Sequence, residues 1–312
     1  PRLGNAALND LLDSADLGRV DTGRLAMTID AHVVRPWRFP GGDIGRLAVA
    51  GTVNDLAVSG ATPIGLALSV IASEGFSLAD LETLFDSIAA TGHEAGVRIV
   101  TGDTKVVDRA ERPEIYLTTA GVGVMPDHRR LHPDRVEAGD VILINGPIGE
   151  HGLAVMLARD MPEAIGAIRS DAAPLNALVH AMLEAAGDDI VFMRDATRGG
   201  LAGVAADLAH ATQRHVALDE PAIPVRGETR HAAEMLGLDL LDVANEGKVV
   251  TVVRPSAADR VLDAMRRHPL GERGAIIGRV EAGDDGLCEL VTAIGGRRIL
   301  QKPYGEQLPR IC

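Results

Sequence analysis

Short apolar runs alternate with amphipathic segments from one end of this chain to the other. A hydrophobic period near two that gives way repeatedly to one near 3.6 is what the strands and helices of a layered α/β protein require. In the first half the strand candidates are 25–34, 65–71, 97–101 and 115–124, with helical stretches over 43–59 and 78–95. The pattern breaks over 126–139, where Asp127-His128-Arg129-Arg130 and Pro133 mark a domain boundary. It resumes with a strand at 141–145, helices at 152–159, 175–186 and 200–213, and strands at 248–253, 275–280 and 287–292. The order is mixed, not strictly βαβ, so α+β layers in each half and a doubly wound sheet both fit. A length of 312 residues suits two domains, because single cores stop growing near roughly 250–300 residues. The expected division is an N-terminal domain over 1–130, a C-terminal domain over 131–300 and a tail over 301–312.

The tail has no hydrophobic period. From Gln301 to Cys312 it carries Pro303, Gly305 and Pro309 and ends in Leu308-Pro309-Arg310-Ile311-Cys312. Ten such residues reach roughly 33 Å when extended, so the segment reads as a mobile arm able to bring Cys312 into a pocket or to present it outside. A thiol there cannot serve as a small core hydrophobe, the usual fate of a lone cysteine, and Pro309 keeps the chain around it extended. An incidental terminal cysteine is the plain alternative. Cys288, inside the apolar run 287–292, is expected to be buried.

Charge and cysteine content narrow the function classes. A net charge of −13 repels nucleic-acid phosphates and anionic membrane surfaces, so neither is an expected partner. A nucleotide stays possible, since Mg²⁺ screens a triphosphate locally. No apolar run approaches the roughly 18–20 residues that span a bilayer. Two cysteines are too few for a disulfide framework, and no Cys/His spacing reads as a zinc site. No charged-then-apolar leader follows Pro1, and cytoplasm is the expected compartment.

Three aspartates stand beside small residues where strands or helices would end: Asp30 in Thr28-Ile29-Asp30-Ala31-His32, Asp55 in Val53-Asn54-Asp55-Leu56-Ala57, and Asp103 in Thr101-Gly102-Asp103-Thr104-Lys105. Carboxylates on separate elements can converge on Mg²⁺ and its triphosphate. Helix caps and turn aspartates are the commoner use of such residues. Asp55 argues against that use, because it sits mid-segment among small and apolar residues where an unpaired carboxylate is expensive. Glycine-rich turns at Pro40-Gly41-Gly42-Asp43, 146–152 and Arg198-Gly199-Gly200 each precede a helix and could offer backbone N–H groups to phosphate. None matches the Walker A pattern or the dinucleotide fingerprint. Lys105, just after Asp103, and Glu246, in Asn245-Glu246-Gly247-Lys248, are the candidate proton-transfer groups; read alone, each is first a solvated loop charge.

Taken together these residues resemble the HypE family of hydrogenase maturation factors. The blocks that carry the likeness are 30–34 with 39–45, Ala50–Ala61, 99–107, 195–200, Asn245-Glu246-Gly247 and Pro309-Arg310-Ile311-Cys312. They span essentially the whole chain. Relatives carry a short glycine-rich segment ahead of the first helix, and this sequence starts at Pro1 without it, which leaves open any part of that segment in covering ATP phosphates. The resemblance implies two PurM-like α/β domains, a homodimer formed through the N-terminal one, and ATP with Mg²⁺. It implies that a HypF partner carbamoylates Cys312, that the chain dehydrates this S-carboxamide to a thiocyanate, and that the cyano group passes to iron on a HypC–HypD complex for [NiFe] hydrogenase. By the same resemblance Asp30, Asp55 and Asp103 would hold Mg²⁺–ATP, with Asp195, Thr104, Gly41 and Gly42 around the nucleotide. Lys105 and Glu246 would act on the carbamoyl group.

Two other readings compete. Another ATP enzyme of the superfamily (a purine-biosynthetic synthetase, a small-molecule kinase or a selenophosphate synthetase) would use a diffusible substrate and keep its turnover after Cys312→Ala. A non-catalytic carrier of the thiol-bound group would be indifferent to Asp55→Ala.

Overall fold

The computed structural model describes residues 23–109, 111–112, 114–161 and 168–301. Of the expected tail over 301–312, residues 302–312, with Cys312, lie outside the described residues.

The first half is a four-stranded sheet with one helical layer. Its strands are β1 (Arg24–His32), β4 (Thr62–Ser73), β5 (Ile99–Val107) and β6 (Ile115–Met125), in the order β1-β6-β4-β5. A two-residue hairpin, β2 (Arg38–Phe39) and β3 (Gly42–Asp43), leads into helix α1 (Ile44–Val58), and α2 is Leu78–Ala95. Asp43 starts α1 by accepting from the backbone N–H groups of Gly45 (2.8 Å) and Arg46 (2.9 Å). Ser77 caps α2, which ends on left-handed Gly96. Helix α1 is buried almost all round because the sheet covers one side and the second half of the chain the other. Its Ala48, Ala50 and Gly51 let those neighbours close in.

Alternation along β1 and β6 turns one face of this sheet toward α1 and leaves the other open. On β1 the outward residues Met27 and Ile29 are 72% and 70% exposed. The second half holds a seven-stranded sheet, covered on both faces. Its members are β7 (Val141–Ile144), β8 (Ile190–Asp195), β9 (His215–Asp219), β10 (Val249–Val253), β11 (Ala275–Glu281), β12 (Cys288–Val291) and β13 (Arg297–Leu300), ordered β13-β12-β9-β11-β7-β10-β8. The helices are α3 (Glu150–Asp160), α4 (Asn176–Ala186), α5 (Gly200–Thr212), α6 (Gly227–Leu236) and α7 (Ala258–Arg266). One core lies between the sheet and α5, around Ile142, Val250, Val252, Leu201 and Leu208. The other lies against α4 and α7, around Leu143, Val249, Val253, Leu178 and Val261. Burial on both faces explains why β10 reads Val-Val-Thr-Val-Val without alternation.

The mixed order, the two sheets and the helical layers match the α+β reading. Several elements escaped it: β8, β9, α6, α7, β13 and the β2–β3 hairpin. The expected strand over 97–101 runs on to Val107, so Asp103, Thr104 and Lys105 belong to a strand and not to a turn. Strand β5 is an edge strand, paired in parallel with β4 on one side only, and an edge tolerates the polar side chains that suggested a turn.

Candidate active site

Four carboxylates from four separate segments line one cavity of about 220 Å³ at the junction of the two halves. Asp30 comes from β1, Asp55 from the last turns of α1, Asp195 from the end of β8 and Glu246 from the turn that enters β10. Alternation on β1 aims Asp30 at α1, where Thr52 Oγ1 donates to its Oδ2 at 3.4 Å. One turn further along α1, Asp55 faces the same strand and accepts from Thr28 Oγ1 at 2.8 Å. The two aspartates are close enough to shift one another's proton affinity. Arg194, Thr197 and Arg198 complete the wall.

The electrostatics of the cluster follow from burial first and like charge second. Burial pushes Asp195 up to about 6, and the Asp55 charge adds to it. Asp30 and Asp55 are both raised, again chiefly by burial, with Asp195 acting against ionised Asp30 and Asp30 against ionised Asp55. Glu246, only 4% exposed, is raised well above the ordinary carboxylate range by burial and then by Asp195, Asp171, Asp30 and Asp55. His32 lines the same cavity, and burial lowers it to about 4, so it stands neutral. Its Nε2 has no hydrogen-bond partner among the described residues. A pocket that raises the proton affinity of four carboxylates is short of positive charge.

Not every residue expected at the site is there. Asp103 shares a row of the sheet with Ala31 through Thr118 and Ser69, three strands and roughly 14 Å away. Adjacent residues of a strand point to opposite faces, so Asp103 lies on the open face while Asp30 faces α1. Its side chain is 68% exposed and pairs with that of Lys105, 70% exposed, at 3.4 Å. Thr104 is exposed on the same edge, its N–H donating to Asp103 Oδ1 at 2.9 Å. Within the chain these three do not meet Asp30 and Asp55.

Gly41 and Gly42 are also elsewhere. They precede α1 at the end opposite to Asp55, roughly 17 Å along the helix axis. The first-turn amides there are taken by Asp43, and a Cβ on Gly41 would lie 2.6 Å from Ser170 N. That glycine permits a backbone contact and does not cradle a phosphate.

Comparison with known proteins places this arrangement. The N-terminal domain model of AIR synthase related proteins matches residues 7–125, and the corresponding C-terminal domain model matches residues 137–289. A carbamoyl dehydratase HypE of Rhizobium leguminosarum bv. viciae is 50% identical over 293 residues, covering 94% of this chain and 84% of the relative. The chain belongs to the HypE family of carbamoyl dehydratases.

Solved HypE structures agree with the fold. A HypE crystallised in complex with ATP superposes with a TM-score of 0.88 at 40% identity, covering 94% of this chain and 89% of that one. HypE from a HypE–HypF complex gives a TM-score of 0.83 at 40% identity, covering 89% and 90%.

The HypE resemblance had indicated Mg²⁺ with ATP, and the residues fit that group in part. Among the described residues no three His, Cys, Asp or Glu side chains could by themselves hold a metal ion. Mg²⁺ does not demand this, since it usually takes one or two carboxylates and completes its shell with water and phosphate oxygens. Asp30 and Asp55 supply such a pair, and their raised proton affinity is what a cation would relieve. Arg194 and Arg198 suit phosphate oxygens. Sequence reasoning did not single out these arginines, His32, or Thr28 and Thr52. The available signal for Arg198 was its position ahead of Gly199 and Gly200, both of which adopt positive φ. The Gly200 turn tolerates no side chain, because a Cβ would lie 2.4 Å from Leu241 O. Cys288 is 2% exposed as expected, and burial pushes its thiol up to about 12, which leaves it inert.

Proposed function

We propose that this chain uses ATP and Mg²⁺ to dehydrate an S-carboxamide carried on Cys312 to a thiocyanate, the source of the cyanide ligands on the iron of [NiFe] hydrogenase. The observation that carries this reading is the convergence of Asp30, Asp55, Asp195 and Glu246 on one cavity in a HypE-family chain.

Loss of water from an amide needs a better leaving group than hydroxide, and ATP supplies it by phosphorylating the amide oxygen. Asp30 and Asp55 would hold the metal, and Arg194 and Arg198 would neutralise phosphate oxygens. Two protons must leave the amide nitrogen as the C≡N bond forms. Glu246 supports the role of base by its place in the cavity; Lys105 lies on the open face of the first sheet. A cation bound beside Glu246 would favour its carboxylate form and so ready it to accept a proton. Cys312 is then a tethered substrate: docking becomes intramolecular capture, and handover requires release.

A homodimer through the open face would cover Met27 and Ile29. Asp103 and Lys105 lie on that face, so the part proposed for them belongs to the dimer. HypF as carbamoyl donor and HypC–HypD as acceptor are proposed from the family; a relative's structure in complex with HypF supports the first. Among the described residues no helix is long and apolar enough to cross a membrane, and the cytoplasm is the proposed compartment.

Intact mass spectrometry tests the reaction. With HypF, carbamoyl phosphate and ATP, the chain should gain one carbamoyl group at Cys312 and then lose one water. An unchanged Cys312, or a carbamoyl group that persists with ATP present, would sink the proposal.

A further inference from the structure

The turn that presents Glu246 is anchored on one side by Asn245, whose Oδ1 accepts from Gly149 N at 2.7 Å and whose Nδ2 donates to Ala196 O and Val243 O, and its backbone is held from other segments as well. Asp171, on the segment between α3 and α4, reaches it from outside. Asp171 Oδ1 accepts from Glu246 N at 3.1 Å, and Oδ2 accepts from Gly247 N at 3.2 Å. The charge of Asp171 is balanced by Lys248 Nζ at 2.7 Å, with side-chain exposures of 4% and 8% for the pair. The two segments are in direct backbone contact, since a Cβ on Gly247 would lie 2.0 Å from Asp171 O. On the other side, Asn54, the neighbour of Asp55, donates Nδ2 to Glu246 O at 3.3 Å and to Ala173 O at 3.1 Å. The metal-side helix, the 171–175 segment and the Glu246 turn are therefore one hydrogen-bonded unit.

A buried ion pair is a poor source of stability, because desolvation of both charges offsets most of their attraction. A carboxylate held there at that cost, with two of its contacts on consecutive amides of one turn, fits a role in aiming the turn. We propose that Asp171 is a positioning residue for Glu246, setting the direction of that carboxyl through the backbone without touching substrate itself. The inference rests on the role given to Glu246 above. It predicts that Asp171 matters only while Glu246 is present, because a group that acts through another has no effect once the other is gone.

The test is a double-mutant cycle on carbamoylated full-length chain, with the dehydration rate and MgATP affinity measured separately. Asp171→Asn should lower the dehydration rate at least tenfold while the MgATP dissociation constant moves less than about threefold. In a Glu246→Gln background the same change should cost less than about twofold further. If Asp171→Asn does not fold, Asp171→Asn with Lys248→Met removes the stranded cation and is put through the same cycle. Losses that multiply in the double mutant, equal damage to MgATP binding, or an unaltered rate would each overturn the proposal. A Glu246→Gln variant with full activity would overturn both this inference and the role of Glu246, whereas a slow Glu246→Gln with a fully active Asp171→Asn would overturn this inference alone.

Discussion

Thr28 on the first strand donates its hydroxyl to Asp55 on the first helix at 2.8 Å, and so ties the sheet to the helix at the edge of the acidic cavity. The bond serves a carboxylate that burial and Asp30 otherwise make reluctant to ionise. Thr28→Val should cost about 1 kcal/mol of stability in the wild-type background and much less in Asp55→Ala, a coupling read by urea denaturation of the four proteins. Asp55→Ala itself should abolish dehydration, by more than about a hundredfold, while lowering stability by no more than the about 1 kcal/mol assigned to the Thr28 bond. A much larger loss of stability with dehydration retained would mean that Asp55 serves the fold and not the site.

Asp195 gives a pH dependence of definite sign. Its folded pKa, about 6, lies above the ordinary carboxylate value of 3.8, so the folded state binds this proton more tightly than the unfolded one. Stability is therefore lost as pH rises from about 4 to 6 and stays lost above that, by up to roughly 3 kcal/mol. His32 works in the opposite sense: its pKa falls from 6.5 to about 4, so stability is gained over nearly the same window. The two displacements are similar in size and offset one another, while raised Asp30, Asp55 and Glu246 act in the same sense as Asp195. Asp195→Asn removes only the first, so its stability relative to wild type should grow between pH 4 and pH 7. Parallel denaturation curves at the two pH values would refute it.

Metal and nucleotide compete with those protons. MgATP should raise Tm by several degrees more at pH 7.5 than at pH 5, because at the lower pH the cation competes with protons for a cluster in which Asp30, Asp55 and Asp195 are all raised. Differential scanning fluorimetry with and without EDTA reads the difference. Equal stabilisation at both pH values would place the nucleotide away from this cluster.

The open face of the four-stranded sheet carries the dimer prediction. Met27 and Ile29 are 72% and 70% exposed, so charging them costs the isolated fold little. Met27→Glu with Ile29→Glu should convert a dimer to a folded monomer by light scattering, and activity should fall if Lys105 works at that interface. A dimer that survives both changes would exclude this face.

Much of the chain was legible before folding. Hydrophobic pattern alone located β1, β4, β6, β7, α1 and α2 to within a few residues, because an element with one buried face writes that face into its own sequence and one buried all round, such as α1 or β7, reads as an apolar run. Asp43 and Gly96, at the ends of α1 and α2, are local signals of the same kind. Elements such as β8 and β9 were missed because each follows a helix, α4 or α5, within a few residues, so that its short apolar run reads as that helix continuing.

By itself the sequence singled out the candidates for chemistry, namely aspartates beside small residues, Glu246 before an apolar strand, and a cysteine at position 312. It placed Asp30, Asp55 and Asp103 together as equals, and only tertiary structure separated them. A strand sends successive side chains to opposite faces, so one register put Asp30 against α1 and Asp103 on the open side. Tertiary structure also recruited Asp195 and Glu246 from the second half and raised the proton affinity of the whole set. Desolvation and the proximity of like charges arise from residues as far apart in sequence as Asp30 and Glu246, and no local pattern encodes them.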